Sequence, residues 1–168
     1  MRVIRMAIAC AAMCILSLAS IARADTLDKI KASGAILLGY RTDAPPFSSA
    51  AGGQPEGFSI DLCDRVVAEV KIALKVDNLD VKFVPVDAET RFTKLESGDI
   101  DIECGATTRT LSREARFDFT LFTFLTGTEM LVRLDSNIRA PADLAGKKIA
   151  VLPGTTTERV MKDVLKQL

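Results

Sequence analysis

Ala35-Ile36-Leu37-Leu38-Gly39-Tyr40 is a near-continuous apolar run that ends at Arg41. A strand that is buried on both faces has this composition, which is typical of parallel sheets. A short amphipathic helix begins after Asp25 and reaches Ser33, where Gly34 supplies a C-terminal cap. The run therefore predicts a buried strand of a parallel sheet.

Strands and helices alternate along the rest of the chain. Apolar residues recur at every fourth position from Phe58 to Val70, which predicts a helix with one apolar face. The predicted helices are 26–33, 59–74, a segment capped by Asp87 that ends at Ser97, a short helix around Arg113, and one that begins near Thr156; the predicted strands are 35–40, 81–86, 99–103, 128–134 and 148–152. This alternation predicts an α/β fold with a parallel sheet and right-handed crossovers.

The first 24 residues have the features of a secretory signal peptide. Basic residues precede an apolar run from Met6 to Leu18, and Ala22-Arg23-Ala24 follows as a small-residue cleavage site. The apolar run is shorter than the roughly 20 residues that a membrane-spanning helix needs. We therefore expect a mature chain that starts at Asp25, is exported to the periplasm, and is not inserted directly into the membrane.

Composition excludes several classes of function. The 22 basic residues balance 22 acidic ones, whereas a nucleic-acid-binding protein is expected to carry a basic excess or patch. Histidine is absent, which removes the commonest general base and the commonest nitrogen ligand of metals. Only Cys63 and Cys104 lie outside the signal segment, and their sequence positions are compatible with a disulfide or with two buried thiols.

Anion-binding groups follow several of the predicted strands. Ligands of open parallel sheets lie at the carboxyl ends of the strands, and the guanidinium group of arginine matches a carboxylate. The groups at this edge are Arg41, Arg91, Thr108 and Arg113, with Thr155 and Thr156 at the start of the last helix. Three guanidinium groups suit a small ligand with two carboxylates, one at Arg113 and Thr108 and the other at Arg41 and Arg91. The alternative is that these arginines pair with local acids such as Glu114 or Asp43.

Two other patterns have both a structural and a functional interpretation. Asp99, Asp101 and Glu103 share one face of a strand, as a hard-metal site would require, but a solvated or helix-paired face is the favoured interpretation. Phe47 follows two prolines near Arg41, and its ring is expected either to form the floor of a ligand pocket or to pack under the loop.

Several separate motifs resemble the extracellular solute-binding proteins of family 3, which deliver polar amino acids to ABC importers. The motifs are Gly39–Phe47, Gly57–Leu62, Leu95–Asp101, Thr108 with Arg113-Glu114, Asp143–Val151 and Gly154-Thr155-Thr156. The resemblance covers Asp25 to Leu168 and implies a fold like that of type II periplasmic binding proteins. It implies a first lobe at 25–127, an outgoing hinge strand at 128–135 and the start of a second lobe at 136–168, after the signal peptide at 1–24.

The glutamate/aspartate binders are the subgroup that the chain resembles most. In that subgroup, residues at the positions of Thr108 and Arg113 hold the α-carboxylate, and those of Arg41 and Arg91 hold the side-chain carboxylate. The segment Glu103-Cys104-Gly105 also resembles that subgroup, whereas Ala88 and Ala106 replace frequent serines. The resemblance therefore implies an amino-acid ligand, a backbone contact at Ala106, contacts from Thr155 and Thr156, an inner-membrane ABC permease as partner, and no cofactor.

Two alternatives stay open from the sequence. Some relatives on this fold are cyclohexadienyl or arogenate-type dehydratases, for which Asp43 or Glu103 would be the available general acids. The return strand and most of a second lobe are not in this sequence, so a nonfunctional truncated fragment is the other alternative.

Overall fold

The computed structural model describes residues 25–167, so the predicted signal peptide lies outside the described residues. The chain divides into two compact units, Met1–Gly34 and Ala35–Leu168. In the first unit, helix α1 spans Thr26–Ser33 and ends at Gly34, whose φ of 66° is the left-handed conformation that the sequence predicted for this cap. Between residues 25 and 167, no helix is both long and apolar enough to cross a membrane.

The second unit is built on a three-stranded parallel sheet. Strand β1 (Ala35–Arg41) lies between β4 (Asp80–Val86) and β5 (Ile102–Cys104) and pairs with both in parallel. Strands β2 (Asp43–Ala44) and β3 (Ser48–Ser49) form a small antiparallel pair after β1. The parallel α/β class predicted from the sequence is confirmed.

Two helices, α2 (Phe58–Leu74) and α3 (Arg91–Ser97), connect the parallel strands. After β5 come α4 (Leu111–Glu114) and α5 (Thr156–Leu165), and 3₁₀ turns lie at Ala51–Gly53 and Pro141–Leu144. The core contains Ile36 and Leu38 of β1 and Ile60 and Val67 of α2, all of which are buried. Apolar burial between the sheet and α2 therefore fixes the edge at which the strands end.

A disulfide joins Cys63 of α2 to Cys104 at the end of β5. This resolves the choice between a bridge and two buried thiols in favour of the bridge. Its position matters for the site, because it fixes the end of β5 to the helix that covers the sheet.

Three details differ from the prediction. Helix α3 has Thr90 as its N-cap residue, and Asp87 instead accepts hydrogen bonds from the backbone N–H groups of Glu89 and Thr90 in the preceding turn. The strands predicted at 128–134 and 148–152 are not formed. An extended segment needs a neighbouring strand for its N–H and C=O groups, and neither segment has one among the described residues.

Candidate functional site

The carboxyl ends of the parallel strands meet at one edge of the sheet. Strand β1 ends with Arg41, and α3, which follows β4, begins at Arg91. The loop after β5 carries Ala106 and Thr108 and leads to Arg113 in α4. The topology therefore places the anion-binding groups on consecutive loops of this edge, as the sequence predicted.

Arg91 and Arg113 converge on a single oxygen atom. The Nη2 atom of each arginine donates to the carbonyl oxygen of Gly154 at 3.3 Å. Both guanidinium groups also lie over the ring of Phe92, at 4.9 and 4.8 Å from its centroid. Since an aromatic face attracts cations, Phe92 supports two guanidinium groups that point at the same acceptor.

The turn that supplies this carbonyl lies against the start of α3. Gly154 has a φ of 70°, and a Cβ atom there would lie 2.7 Å from the carbonyl oxygen of Ala88, so only glycine fits without strain. The hydroxyl oxygen of Thr108 is 3.1 Å from that of Thr156, the first residue of α5. The turn at 153–156 therefore lies directly over the predicted carboxylate site.

Thr155 and Ala106 have different positions from the other predicted residues. The hydroxyl of Thr155 donates to the carbonyl of Leu152 at 2.7 Å and accepts from the N–H of Glu158 at 3.2 Å, so it caps α5. Ala106 is exposed on the loop after β5. The structure brings Arg91, Thr108, Arg113 and Thr156 together.

Arg41 is buried at the same edge and already has an acidic partner. Its side chain is only 5% exposed, and its Nε donates to Oδ1 of Asp43 at 2.7 Å. This hydrogen bond lowers the pKa of Asp43 below the usual value for an aspartate. Local pairing therefore holds for Arg41, whereas Glu114 pairs with Arg109 rather than with Arg113.

Glu103 lies on the face of the sheet that carries Arg41. Glu103 pairs with Gly39, and side chains two residues apart share a face, so Gly39, Arg41 and Glu103 are on one side. The Glu103 Oε1 atom is buried and has no hydrogen-bond partner. A Cβ atom on Gly105 would lie 2.2 Å from this oxygen and 3.2 Å from Cγ of Arg41, so both side chains occupy the space that a side chain at position 105 would need.

The charges at this edge influence one another. Burial raises the pKa of Glu103, while Arg91, Arg41 and Arg113 act in the opposite direction. Burial lowers the pKa of Arg91 and Arg113, and Glu103 acts against that lowering in both. The three arginines and Glu103 therefore form one electrostatic cluster, named here the arginine cluster with its acid Glu103.

Several buried polar atoms at this edge lack a partner. They are Nε of Arg91, Oε1 of Glu103 and Oγ1 of Thr107, which lies near Glu103 without meeting hydrogen-bond geometry. Buried polar groups are rarely left without a partner in folded proteins, and each such group needs a reason. Their concentration at the predicted binding edge indicates a site that recognises a polar ligand.

The acidic face predicted to be solvated or helix-paired is different in the structure, because β5 begins only at Ile102 and Asp99 and Asp101 precede it. Asp101 accepts a hydrogen bond from the backbone N–H of Leu37 at 2.8 Å, and Oε1 of Glu103 is buried, which leaves Asp99 exposed. The three carboxylates do not converge, and no group of three or more candidate metal ligands occurs within residues 25–167. Neighbouring elements cover the acidic face, which the alternation within β5 cannot reveal.

Sequence reasoning missed two members of the site and was undecided about a third. No feature of the sequence indicated that Phe92 belongs to the site or that Glu103 lies beside the arginines. The shared face of Arg41 and Glu103 was detectable from the alternation of residues in two paired strands. The ring of Phe47 packs against Phe58 and Phe124, with centroids 6.2 and 5.0 Å apart, so the packing alternative holds there.

Comparison with protein families decides the assignment. The family model described as bacterial extracellular solute-binding proteins, family 3, matches residues 36–167. The chain belongs to this family. The family 3 protein is 40% identical over 139 residues to the L-glutamate/L-aspartate-binding protein of Pseudomonas aeruginosa, covering 82% of this chain and 46% of the relative. It is 37% identical over 138 residues to the glutamate/aspartate import solute-binding protein of Salmonella typhimurium, with the same coverage of 82% and 46%.

Solved structures give the same fold. The family 3 protein aligns with the ancestral amino acid-binding protein AncCDT-1, a precursor of cyclohexadienyl dehydratase, with a TM-score of 0.74 and 32% identity over 85% of this chain and 62% of that one. The P235GK mutant of ArgBP from T. maritima aligns with a TM-score of 0.73 and 27% identity over 83% and 59% of the two chains. The type II binding-protein fold implied by the resemblance is therefore confirmed.

The chain spans a little under half the length of the relatives it matches, at 46% of each of the first two. Its relatives are solute-binding proteins.

Proposed function

We propose that this protein binds an acidic amino acid, glutamate or aspartate, in the periplasm and delivers it to an ABC importer. The convergence of Arg91 and Arg113 on one oxygen atom is the observation that carries this proposal. Two guanidinium groups brought this close together place two carboxylate-binding groups side by side, as a ligand with two carboxylates requires. Relatives at 36–40% identity are glutamate/aspartate-binding proteins, which supports the same ligand.

Each predicted residue has a proposed role. Arg113 and Thr108 hold the α-carboxylate, with a backbone contact at Ala106, and the N-terminal turn of α5 at Thr155 and Thr156 contacts the ligand from the other side. Arg41 and Arg91 hold the side-chain carboxylate. Because Arg41 already binds Asp43, its donors other than Nε are the ones that face the ligand.

Calorimetric titration of the protein with L-glutamate tests the proposal. Arg113→Ala should abolish binding, and Arg91→Ala should weaken binding of glutamate and aspartate more than that of glutamine. Removal of one partner of a buried charged hydrogen bond costs about 2–5 kcal/mol, or a factor of roughly 30 to several thousand in affinity. Retained tight binding by Arg113→Ala would contradict the assignment.

Arg65→Ala is the matched control. Arg65 is exposed on α2, away from the edge where the strands end, so its removal changes the net charge equally. It should leave the affinity for glutamate unchanged. An equal loss in this variant would mean that general charge, rather than the arginine cluster, attracts the ligand.

A dehydratase acting on a cyclic dicarboxylate is the second candidate. Burial raises the pKa of Glu103, and this direction favours the dehydratase because a general acid works best when its pKa is shifted toward the working pH. Incubation with prephenate or arogenate and detection of the aromatic product test this function. Glutamate binding without any turnover would reject it.

A further inference from the structure

The arginine cluster contains an acid that its proposed binding role does not use. The Glu103 carboxyl lies on the face of the sheet that carries Arg41, and its Oε1 is buried without a partner. An anionic ligand and an ionised Glu103 would be attracted to the same three guanidinium groups. Two anions near one another in a buried site repel, so both cannot be accommodated without cost.

We propose that Glu103 is a specificity-determining residue that competes with the ligand's carboxylate for the arginine cluster. In its ionised form Glu103 neutralises part of the cluster's positive charge and weakens binding of ligands with two carboxylates. In its neutral form it leaves that charge available to them. The inference rests on the proposed function and adds a coupling between proton and ligand.

The surroundings of Glu103 hold its side chain beside Arg41. Oε1 of Glu103 and Cγ of Arg41 both lie next to Gly105, since a Cβ atom there would be 2.2 and 3.2 Å from them. The hydroxyl of Ser59 on α2 donates to the carbonyl of Gly105 at 2.8 Å, which holds that backbone in place. The disulfide fixes the neighbouring Cys104 to α2. Glu103 is therefore held near the arginines, and its Oε1 accepts no hydrogen bond from them.

Other charged groups around the cluster do not share this behaviour. Glu103 is faced by Arg41 from β1, Arg91 from α3 and Arg113 from α4. The acids beside the cluster are Asp43 and Asp87, and hydrogen bonds lower the pKa of both, so they stay ionised down to a lower pH than an ordinary aspartate. Arg159 of α5 is a further positive charge that faces Arg113. Of these groups, Glu103 is the one whose pKa is raised.

The direction of the pH effect follows from linkage. A bound dicarboxylate adds negative charge near Glu103 and favours its neutral form, so binding takes up a proton. The affinity for glutamate should therefore rise as the pH falls from 8 to 5.5, a range in which the ligand keeps both carboxylates ionised. Glutamine has one carboxylate fewer, so its affinity should change less over the same range.

Calorimetric titration of the purified full-length protein with L-glutamate and L-glutamine between pH 5.5 and 8 tests the proposal. Couplings between two sites typically change affinity by about 5- to 150-fold, which is the gain expected for glutamate over this range. Glu103→Gln should bind glutamate more tightly than wild type at pH 8 and should lose most of the pH dependence. Asp99→Asn, which removes an exposed acid from the same segment, should behave like wild type.

A measurement on the unmodified protein keeps the proposal independent of the variant's folding. Titration at one pH in two buffers with different ionisation enthalpies should show proton uptake with glutamate. Equal affinity and equal pH dependence in wild type and Glu103→Gln, or the absence of proton uptake, would overturn this inference alone. If glutamate does not bind to either protein at any pH, the proposed function fails and this inference fails with it.

Discussion

Single residues determine how much charge the candidate site carries. Arg41 has a fixed partner in Asp43, whereas Arg91 keeps a buried Nε atom without one. Glu103 differs from both, because burial raises its pKa by more than the three arginines lower it. The site therefore combines a neutralised arginine, an available one and an acid that is costly to ionise.

The raised pKa of Glu103 predicts a stability that depends on pH. When the pKa of an acid is higher in the folded than in the unfolded state, its ionisation costs more free energy in the folded state. The free energy of unfolding is therefore lowest at a pH where the acid is ionised in both states. Stability should fall as the pH rises from about 4.5, the usual glutamate value, through the raised value in the folded state. Glu103→Gln should therefore unfold at a higher temperature than wild type at pH 8, and the two should converge near pH 4. Thermal unfolding followed by circular dichroism checks this, and a lower melting temperature of the variant at pH 8 would contradict it.

Replacement of Phe92 should affect glutamate binding less than replacement of Arg91 or Arg113. Replacement with leucine removes the aromatic face under Arg91 and Arg113 but keeps an apolar side chain. A cation–π contact contributes about 0.5–1 kcal/mol at exposed sites, so Phe92→Leu should weaken glutamate binding roughly 2- to 5-fold or somewhat more. Calorimetric titration provides the measurement. Phe122→Leu, which removes the ring under Arg109 instead, should have no effect on affinity.

Helices and strands differ in how far the sequence predicted them. Helices α1 and α3 end at Gly34 and Gly98, and both glycines have the left-handed conformation that the sequence indicated. Such caps are local signals, so they can be predicted without knowledge of the rest of the fold. The strand predicted at 128–134 depended on a partner strand, and pairing is a property of two segments rather than of one.

The residues of the candidate site also divide into those that local sequence predicts and those that depend on distant segments. Arg91 and Arg113 were predictable because each directly opens or follows an element at the strand ends. The neighbour of each arginine was not predictable, since the Gly154 carbonyl lies more than 40 residues further along the chain. Glu103 was visible as one residue of an alternating strand, but its burial depends on which elements cover that strand.

At the scale of elements, the bridge between α2 and β5 should contribute strongly to stability. Cys63 and Cys104 are 41 residues apart in sequence, and a bridge of that span restricts the unfolded chain considerably. Disulfides typically stabilise by about 2–4 kcal/mol. The double variant Cys63→Ser with Cys104→Ser should be destabilised by this amount in urea denaturation. A reductant should destabilise wild type similarly and leave the double variant unchanged; stability unaffected by either treatment would mean that the bridge is not formed.

For the molecule as a whole, the most unusual surface is the segment 121–134. Leu121, Leu125, Leu131 and Leu134 are each at least 79% exposed, and the segment forms no strand pairing among the described residues. Exposed apolar side chains at this density are typical of surfaces that associate with other molecules. The surface of the second unit is therefore not uniformly polar.

A polypeptide of residues 25–168 should consequently self-associate as its concentration rises. Leu131→Lys should reduce this association, because a charge opposes burial of the segment against another copy. Thr128→Lys adds the same charge at an exposed polar position and should have a weaker effect. Sedimentation velocity at several concentrations measures this, and a strictly monomeric wild-type polypeptide would refute the prediction.

The carbonyl of Gly154 has a consequence for the rate at which a ligand arrives. A ligand whose carboxylates take over the Nη2 atoms of Arg91 and Arg113 replaces this oxygen on both, so the turn at 153–156 leaves them before such a ligand is fully bound. Opening of the turn is a step within the protein, and its speed does not depend on how much ligand is present. The observed association rate should then rise with ligand concentration only up to a ceiling, and that ceiling is the opening rate of the turn.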